Sequence, residues 1–203
     1  DRNIREMDFN TKVLHGRSTE NYAFNATLPP IAQVTAFGYK SAEEQEKVFH
    51  HKAFGFAYTR IGNPTVSAFE NRIAELEGAP SAVATSSGMS AVVMSMLNVL
   101  QSGDEIVAAA GLYGGTLDLF KDLEKFGIHT HFAKRLTPEY IEPLLNEHTR
   151  IVFGEVISNP GLFVLDIPKL SEYVHGKGLP LIVDATTATP YLISPLSLGA
   201  DIV

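Results

Sequence analysis

The sequence predicts an α/β domain built on a mainly parallel sheet and preceded by an extended arm. Three observations carry this. From Asn63 onward, short apolar runs alternate with longer stretches whose apolar residues recur at helical spacing. Several of those stretches close on a glycine, at Gly78, Gly127 and Gly176. Small polar residues gather just after the apolar runs, where open sheets of this kind bind ligands. A βαβα rhythm with short, half-apolar strands is the signature of a parallel sheet covered by helices.

Taken in order, residues 1–60 form the arm. They carry Pro29-Pro30 and many polar and aromatic residues, with one helical stretch at Ser41–His50 that opens on Ser41 and Glu44 in capping-box spacing. The arm lacks the periodicity to build its own core and is expected to lie across another surface. Residues 61–203 form the α/β domain. Pro64–Glu77 is a helix with Val66, Phe69, Ile73 and Leu76 at helical spacing, followed by Gly78. A strand is expected near 81–85, a helix from Ser87 to Leu100 and a strand at Glu105–Ala110. Next come a helix at Thr116–Phe126 closed by Gly127, a strand at Ile128–Ala133 and a helix at Pro138–Asn146. Arg150–Val156 is a strand, Ile167–His175 a helix ending at Gly176, and Leu181–Asp184 a strand. Asp201-Ile202-Val203 opens one more.

Composition excludes several function classes. The 203 residues are 45% hydrophobic, enough for a sizeable core. Sixteen Lys and Arg against 23 Asp and Glu give a net charge of −7, which argues against nucleic-acid and acidic-membrane partners. There is no cysteine, so disulfides, thiolate metal sites and cysteine nucleophiles are absent. No apolar run approaches membrane-spanning length and residues 1–5 lack a signal-peptide core, so a cytoplasmic protein is expected. Asp184 has few allies for a metal, and none is expected.

The residues that follow the expected strands carry the chemistry. Thr85-Ser86-Ser87-Gly88-Met89-Ser90 reads as a turn into a helix start, whose unpaired N–H groups and positive dipole end suit a phosphate. A plain capped turn is the bland alternative. Tyr113, in Leu112-Tyr113-Gly114-Gly115-Thr116, either packs on the next helix or stacks on a planar ligand beside the two glycines. Asp184 either caps its own turn or faces a cation or protonated ring nitrogen. Tyr58 and Arg60, two apart in an extended segment, project together and suit a phosphate, unless they are a solvated surface pair. The nucleotide-binding glycine motifs and the G-x-S-x-G elbow are absent. A phosphate site, a stacking tyrosine and a ring-nitrogen acid together suggest pyridoxal phosphate.

These stretches, with Pro29-Pro30-Ile31, Ile61-Gly62-Asn63-Pro64-Thr65, Ser158-Asn159-Pro160 and Asp184–Tyr191, resemble in order and spacing the amino-terminal half of the Cys/Met-metabolism family of pyridoxal-phosphate enzymes. The resemblance implies the large domain of the aspartate-aminotransferase-like fold type I. It implies pyridoxal 5′-phosphate held by Ser87, Gly88 and Met89 at its phosphate, by Tyr113 stacking on the ring, by Asp184 at the ring nitrogen and by Asn159 at the phenolic oxygen. Glu155 and Thr186 would support the ring, and Tyr58 and Arg60 would reach the phosphate of a neighbouring subunit's cofactor. Tyr113 and Asp184 are the implied catalytic residues. A homotetramer of dimers that share sites, acting on an amino acid, follows from the same resemblance. Where the family often reads Asp-Asn-Thr-Phe, this chain has Asp184-Ala185-Thr186-Thr187. The family's Schiff-base lysine and the arginine for the substrate carboxylate would fall beyond Val203, so a longer protein is expected.

Within the family, Gly111–Thr116 with Leu119-Phe120, and Ile157–Pro160 with Leu165–Ile167, look most like O-acetylhomoserine sulfhydrylase. That implies a γ-replacement giving homocysteine and acetate, in methionine biosynthesis. Methionine gamma-lyases often carry cysteine at the position of Gly115, which weighs mildly against that activity. Cystathionine gamma-synthase and gamma-lyase stay open, and a catalytically inactive cofactor-site fragment is the alternative of another class.

Overall fold

The computed structural model describes residues 7–16, 22 and 25–203. Part of the expected arm, at 1–6, 17–21, 23 and 24, lies outside the described residues. The chain divides into two compact units, Asp1–Ala84 and Thr85–Val203.

Among its described residues the first unit holds three α-helices, α1 (Phe9–Leu14), α2 (Ala42–Phe49) and α3 (Pro64–Glu77). Ser41 caps α2 by accepting the Glu44 N–H at 3.2 Å, as the capping-box spacing requires. Asn63 starts α3 by accepting the Thr65 N–H at 2.9 Å, Pro64 supplies a preset φ at the first helical position, and Gly78 ends it with φ of 72°. The helix α1 has no counterpart in the sequence reading: six residues are too few to show a period. Among the described residues of this unit only Val48 and Ala74 are apolar and buried. Hydrogen bonds hold it instead. Buried Asn63 donates to the Ala32 carbonyl at 3.0 Å, Thr65 Oγ1 accepts the Ala32 N–H at 2.8 Å, and Arg72 donates to the Lys12 carbonyl at 2.7 Å.

The second unit is organised by a four-stranded, wholly parallel sheet in the order β2-β1-β3-β4, with β1 Glu105–Ala109, β2 His129–Ala133, β3 Thr149–Glu155 and β4 Leu181–Asp184. Side chains alternate across it. Ile106, Ala108, Ile151, Phe153 and Ile182 pack on one side with Met96 of α4 (Gly88–Val99) and Phe120 and Leu123 of α5 (Gly114–Leu123). On the other side, Val107, Val152, Leu181 and Val183 pack with Ile141 of α6 (Pro138–Ile141) and with Ile167, Leu170 and Val174 of α7 (Ile167–His175). A short α8 (Thr189–Leu192) and a 3₁₀ turn at Pro195–Leu198 follow β4. Ile202 then bridges Ile182 in parallel, as expected for the opening of a further strand.

The expected strand near 81–85 is a correction. Residues 81–85 pair with no strand among the described residues, Val83 is 73% exposed, and the Ala84 N–H is taken by the Glu70 side chain at 2.8 Å. An apolar run becomes a strand only where a ladder accepts its backbone groups. Two other expected helices differ at their ends. The segment after β1 becomes helical at Gly114 and tightens to a 3₁₀ turn over Glu124–Phe126 before Gly127. The 138–146 segment is α-helical only to Ile141, then 3₁₀ to Leu144, because Pro143 has no N–H to continue the ladder.

Phe153, 1% exposed, meets Phe120 edge to face at 5.2 Å between ring centroids and 81° between planes, and so fixes α5 to the sheet. Phe153→Ala is expected to cost about 3–5 kcal/mol of stability, read as a lowered urea midpoint.

Candidate active site

The site is built at the carboxyl ends of the parallel strands, where the loops leave the sheet. The start of α4 comes first. Ser87 is its N-cap: its Oγ accepts the Ser90 N–H at 3.1 Å and pairs with Ser90 Oγ at 2.9 Å. The helix therefore begins at Gly88, one residue later than the sequence suggests. A Cβ built on Gly88 would meet nothing within 4 Å, so there is open space beside the first residue of α4, where the Gly88 and Met89 N–H groups begin the helix.

Tyr113 is the N-cap residue of α5 and its side chain is half exposed. The neighbouring Gly115 shows how closely it lies to α4. A Cβ on Gly115 would come within 2.7 Å of Tyr113 Cε1 and 3.3 Å of Met89 Sδ. Only a glycine leaves room there for the ring. Gly115 thus sets the ring beside the start of α4, whereas a Cβ on Gly114 would meet nothing within 4 Å.

At the ends of β3 and β4 two acids stand side by side. Parallel pairing places Glu155 opposite Asp184. Glu155 is buried, and its carboxylate accepts the Tyr113 N–H at 2.7 Å through Oε1 and the Asn159 N–H at 3.1 Å through Oε2. Burial pushes its carboxyl above the ordinary value of 4.5 and the Asp184 charge adds to this, against the opposing pull of the two N–H bonds. Asp184 Oδ1 accepts the Thr186 N–H at 2.9 Å, the Asx-turn expected of a capping acid. Capping and facing a cation are compatible, since a carboxylate has two oxygens. Asn159 and Thr186 are exposed at the same strand ends.

The structure thus brings together Ser87, Gly88, Met89, Tyr113, Glu155, Asn159, Asp184 and Thr186. Tyr58 and Arg60 belong to the first unit. Tyr58 bridges Ala36 in antiparallel fashion, and the chain then turns, with the Ile61 and Gly62 N–H groups donating to the Tyr58 carbonyl. The extended segment expected through Arg60 ends at Tyr58. The two side chains still lie together, with the Arg60 guanidinium 5.3 Å from the centre of the Tyr58 ring. The role of Gly115 as the residue that admits the Tyr113 ring, and of Glu155 as a tie between two loops, went beyond the sequence reading. The first could be suspected from a Gly-Gly pair beside an aromatic residue. The second has no local signal, because its partners are main-chain groups 42 and 4 residues away.

The family profile described as Cys/Met metabolism PLP-dependent enzyme matches residues 10–203. The chain belongs to this family. An O-acetyl-L-homoserine sulfhydrylase of Corynebacterium glutamicum is 42% identical over 203 residues, covering 99% of this chain and 46% of that protein. An L-methionine gamma-lyase of Fusobacterium nucleatum is 38% identical over 201 residues, covering 98% and 51%. A Campylobacter jejuni crystal structure, described as a candidate O-acetylhomoserine (thiol)-lyase and carrying N′-pyridoxyl-lysine-5′-monophosphate, superposes with a TM-score of 0.89. It is 29% identical, over 96% of this chain and 48% of that one. The chain spans about half the length of the curated relatives it matches.

The donor set fits the family's cofactor. A helix start open at Gly88 suits a phosphate, a half-exposed tyrosine suits the face of a planar ring, and the Asp184 carboxylate, with one oxygen used by its own turn, suits a cationic ring nitrogen.

The raised carboxyl of Glu155 has a pH consequence. Because the folded state holds this proton more tightly than the unfolded chain, the stabilisation is complete below 4.5 and is lost as pH rises through the raised folded value. Urea unfolding across that window is expected to show wild type losing stability relative to Glu155→Gln, which has no proton to release there.

Proposed function

We propose that the protein is an enzyme of sulfur amino-acid metabolism that uses pyridoxal 5′-phosphate to replace the γ-substituent of an activated homoserine. O-acetylhomoserine and sulfide would give homocysteine and acetate: the Cγ–O bond breaks, a Cγ–S bond forms, and acetate leaves. The 42% identity to an O-acetyl-L-homoserine sulfhydrylase carries this choice of reaction. The strand-end residues support the choice of cofactor.

In this reading the N–H groups of Gly88 and Met89, with the capping Ser87, hold the phosphate. Tyr113 covers one face of the ring. Asp184 keeps the ring nitrogen protonated, and Asn159 orients the phenolic oxygen. Thr186, whose N–H fixes Asp184, steadies the acid. Tyr58 and Arg60 reach the phosphate in a neighbouring subunit, one donating a single phenol hydrogen bond and the other a charge-paired fork. That arrangement calls for at least a dimer that shares sites; the reading takes two such dimers as a tetramer, after the family's usual state, and places the enzyme in the cytoplasm. When bound, pyridoxal phosphate supplies the electron sink that lets protons leave the substrate carbons. The chain's own part is to hold the ring proton at Asp184 and to carry a proton on the hydroxyl of Tyr113, a half-exposed residue.

The test is an assay of the full-length, cofactor-loaded protein. Homocysteine formed from O-acetylhomoserine and sulfide is the expected result. Conversion of methionine to an oxo acid, with none of the replacement reaction, would point to γ-elimination, the activity named for the Fusobacterium relative. Protein that neither binds pyridoxal phosphate nor turns over either substrate would overturn the reading in favour of an inactive cofactor-site protein.

Gly115 gives a second test. Gly115→Ala places a methyl group 2.7 Å from Tyr113 Cε1, a contact relieved by moving an exposed ring rather than the backbone. Stability should change by less than about 0.5 kcal/mol. Pyridoxal phosphate affinity should fall by about threefold to tenfold, the worth of an aromatic stack, measured by titrating the apo protein.

A further inference from the structure

Tyr113 is the N-cap of α5, yet its side chain makes no capping bond. In a capping box the N–H of the N-cap residue is taken by an acid or amide three residues on. Here that place belongs to Thr116, which is too short to reach back, and its buried Oγ1 has no hydrogen-bond partner among the described residues. The carboxylate of Glu155 arrives from β3 instead and takes the Tyr113 N–H at 2.7 Å. Its charge at the start of a ten-residue helix also complements the helix dipole. The other oxygen takes the Asn159 N–H at 3.1 Å. One buried carboxylate therefore spends each oxygen on the main chain of a different loop.

We infer that Glu155 is a positioning residue: it sets Tyr113 and Asn159 relative to each other through their backbones and does not itself hold the ligand. The inference rests on the proposed function only for what those two side chains touch. Because the bonds go to N–H groups, the phenol and the carboxamide stay free for a ligand. Glu155→Gln has one acceptor oxygen for two N–H groups and its amide can flip between them, so each tie in turn is replaced by a donor facing a donor and both are weakened. Glu155→Asp keeps the charge but is one methylene too short to span both.

Hydrogen exchange in the apo form of the full-length protein tests this without any ligand. Glu155→Gln is expected to speed exchange about tenfold in peptides over 110–116 and 156–162 together, while the rest of the sheet keeps its protection. Glu155→Asp, which keeps the charge at the helix start, is expected to shift the same two peptides by less, and it decides the matter if the glutamine variant does not fold. In the loaded protein the visible absorption band of bound pyridoxal phosphate should shift, and kcat should fall with little change in KM for the amino acid. Unchanged exchange in both peptides, or a change in only one, would overturn the inference. So would loss of cofactor affinity with exchange unaltered, which would make Glu155 a direct contact. Wild-type protein that binds no pyridoxal phosphate would overturn the functional reading and leave the exchange data to decide this one.

Discussion

The parallel pairing of β3 with β4 puts two carboxylates, Glu155 and Asp184, on adjacent strand ends, and the rest of the site depends on how that arrangement is tolerated. Like charges at this spacing oppose one another, and burial opposes the charge on Glu155 as well. Two main-chain N–H groups offset part of the cost at Glu155, and one more does so at Asp184. Such an arrangement is poor as a stability device, because an apolar pair would pack there with less penalty. What it does provide is a negative field at the mouth of the sheet that the main chain holds in place before anything binds.

How far the sequence declares this fold depends on whether a signal is local. Asn63, Pro64 and Gly78 bracket α3 in adjacent positions, and the helix runs between them as read. β1, β3 and β4 were legible from the apolar runs Ile106–Ala109, Ile151–Phe153 and Leu181–Val183, and β2 from Gly127, which closes the helix before it. The run Ser81-Ala82-Val83-Ala84 has the same composition, but a strand is a relation between two segments, and no described segment pairs with it. The six residues of α1 and the four of α8 are too short for a period, and the contacts that fix α1, such as Arg72 to the Lys12 carbonyl, come from far along the chain.

The candidate site divides the same way. The capped start of α4, the glycines beside Tyr113 and the acid closing β4 are each stated by a few neighbouring residues. Glu155 is different. In the sequence it is one acid inside an apolar strand, and its significance lies in two backbone groups that only the fold brings to it. The turn after Tyr58 was hidden for a related reason: alternation in an extended segment and a tight turn both bring residues two apart to one side, and Arg60 reaches the Tyr58 ring either way.

Holding loops by their main chain rather than by their side chains has a consequence for how such a site can vary. A side-chain tie would fix the identity of both partners. A tie to N–H groups fixes only where the backbone goes, so the residues at 113 and 159 answer to the ligand and the residue at 155 answers to the loops. Gly115 adds the complementary constraint. It selects the position of the Tyr113 ring by leaving space on one side, beside Met89, where any side chain would push it away. The carboxylate sets where the loop starts and the glycine sets where the ring can lie. Changing the reaction while keeping the cofactor would then mean altering what surrounds this pair, not the pair itself.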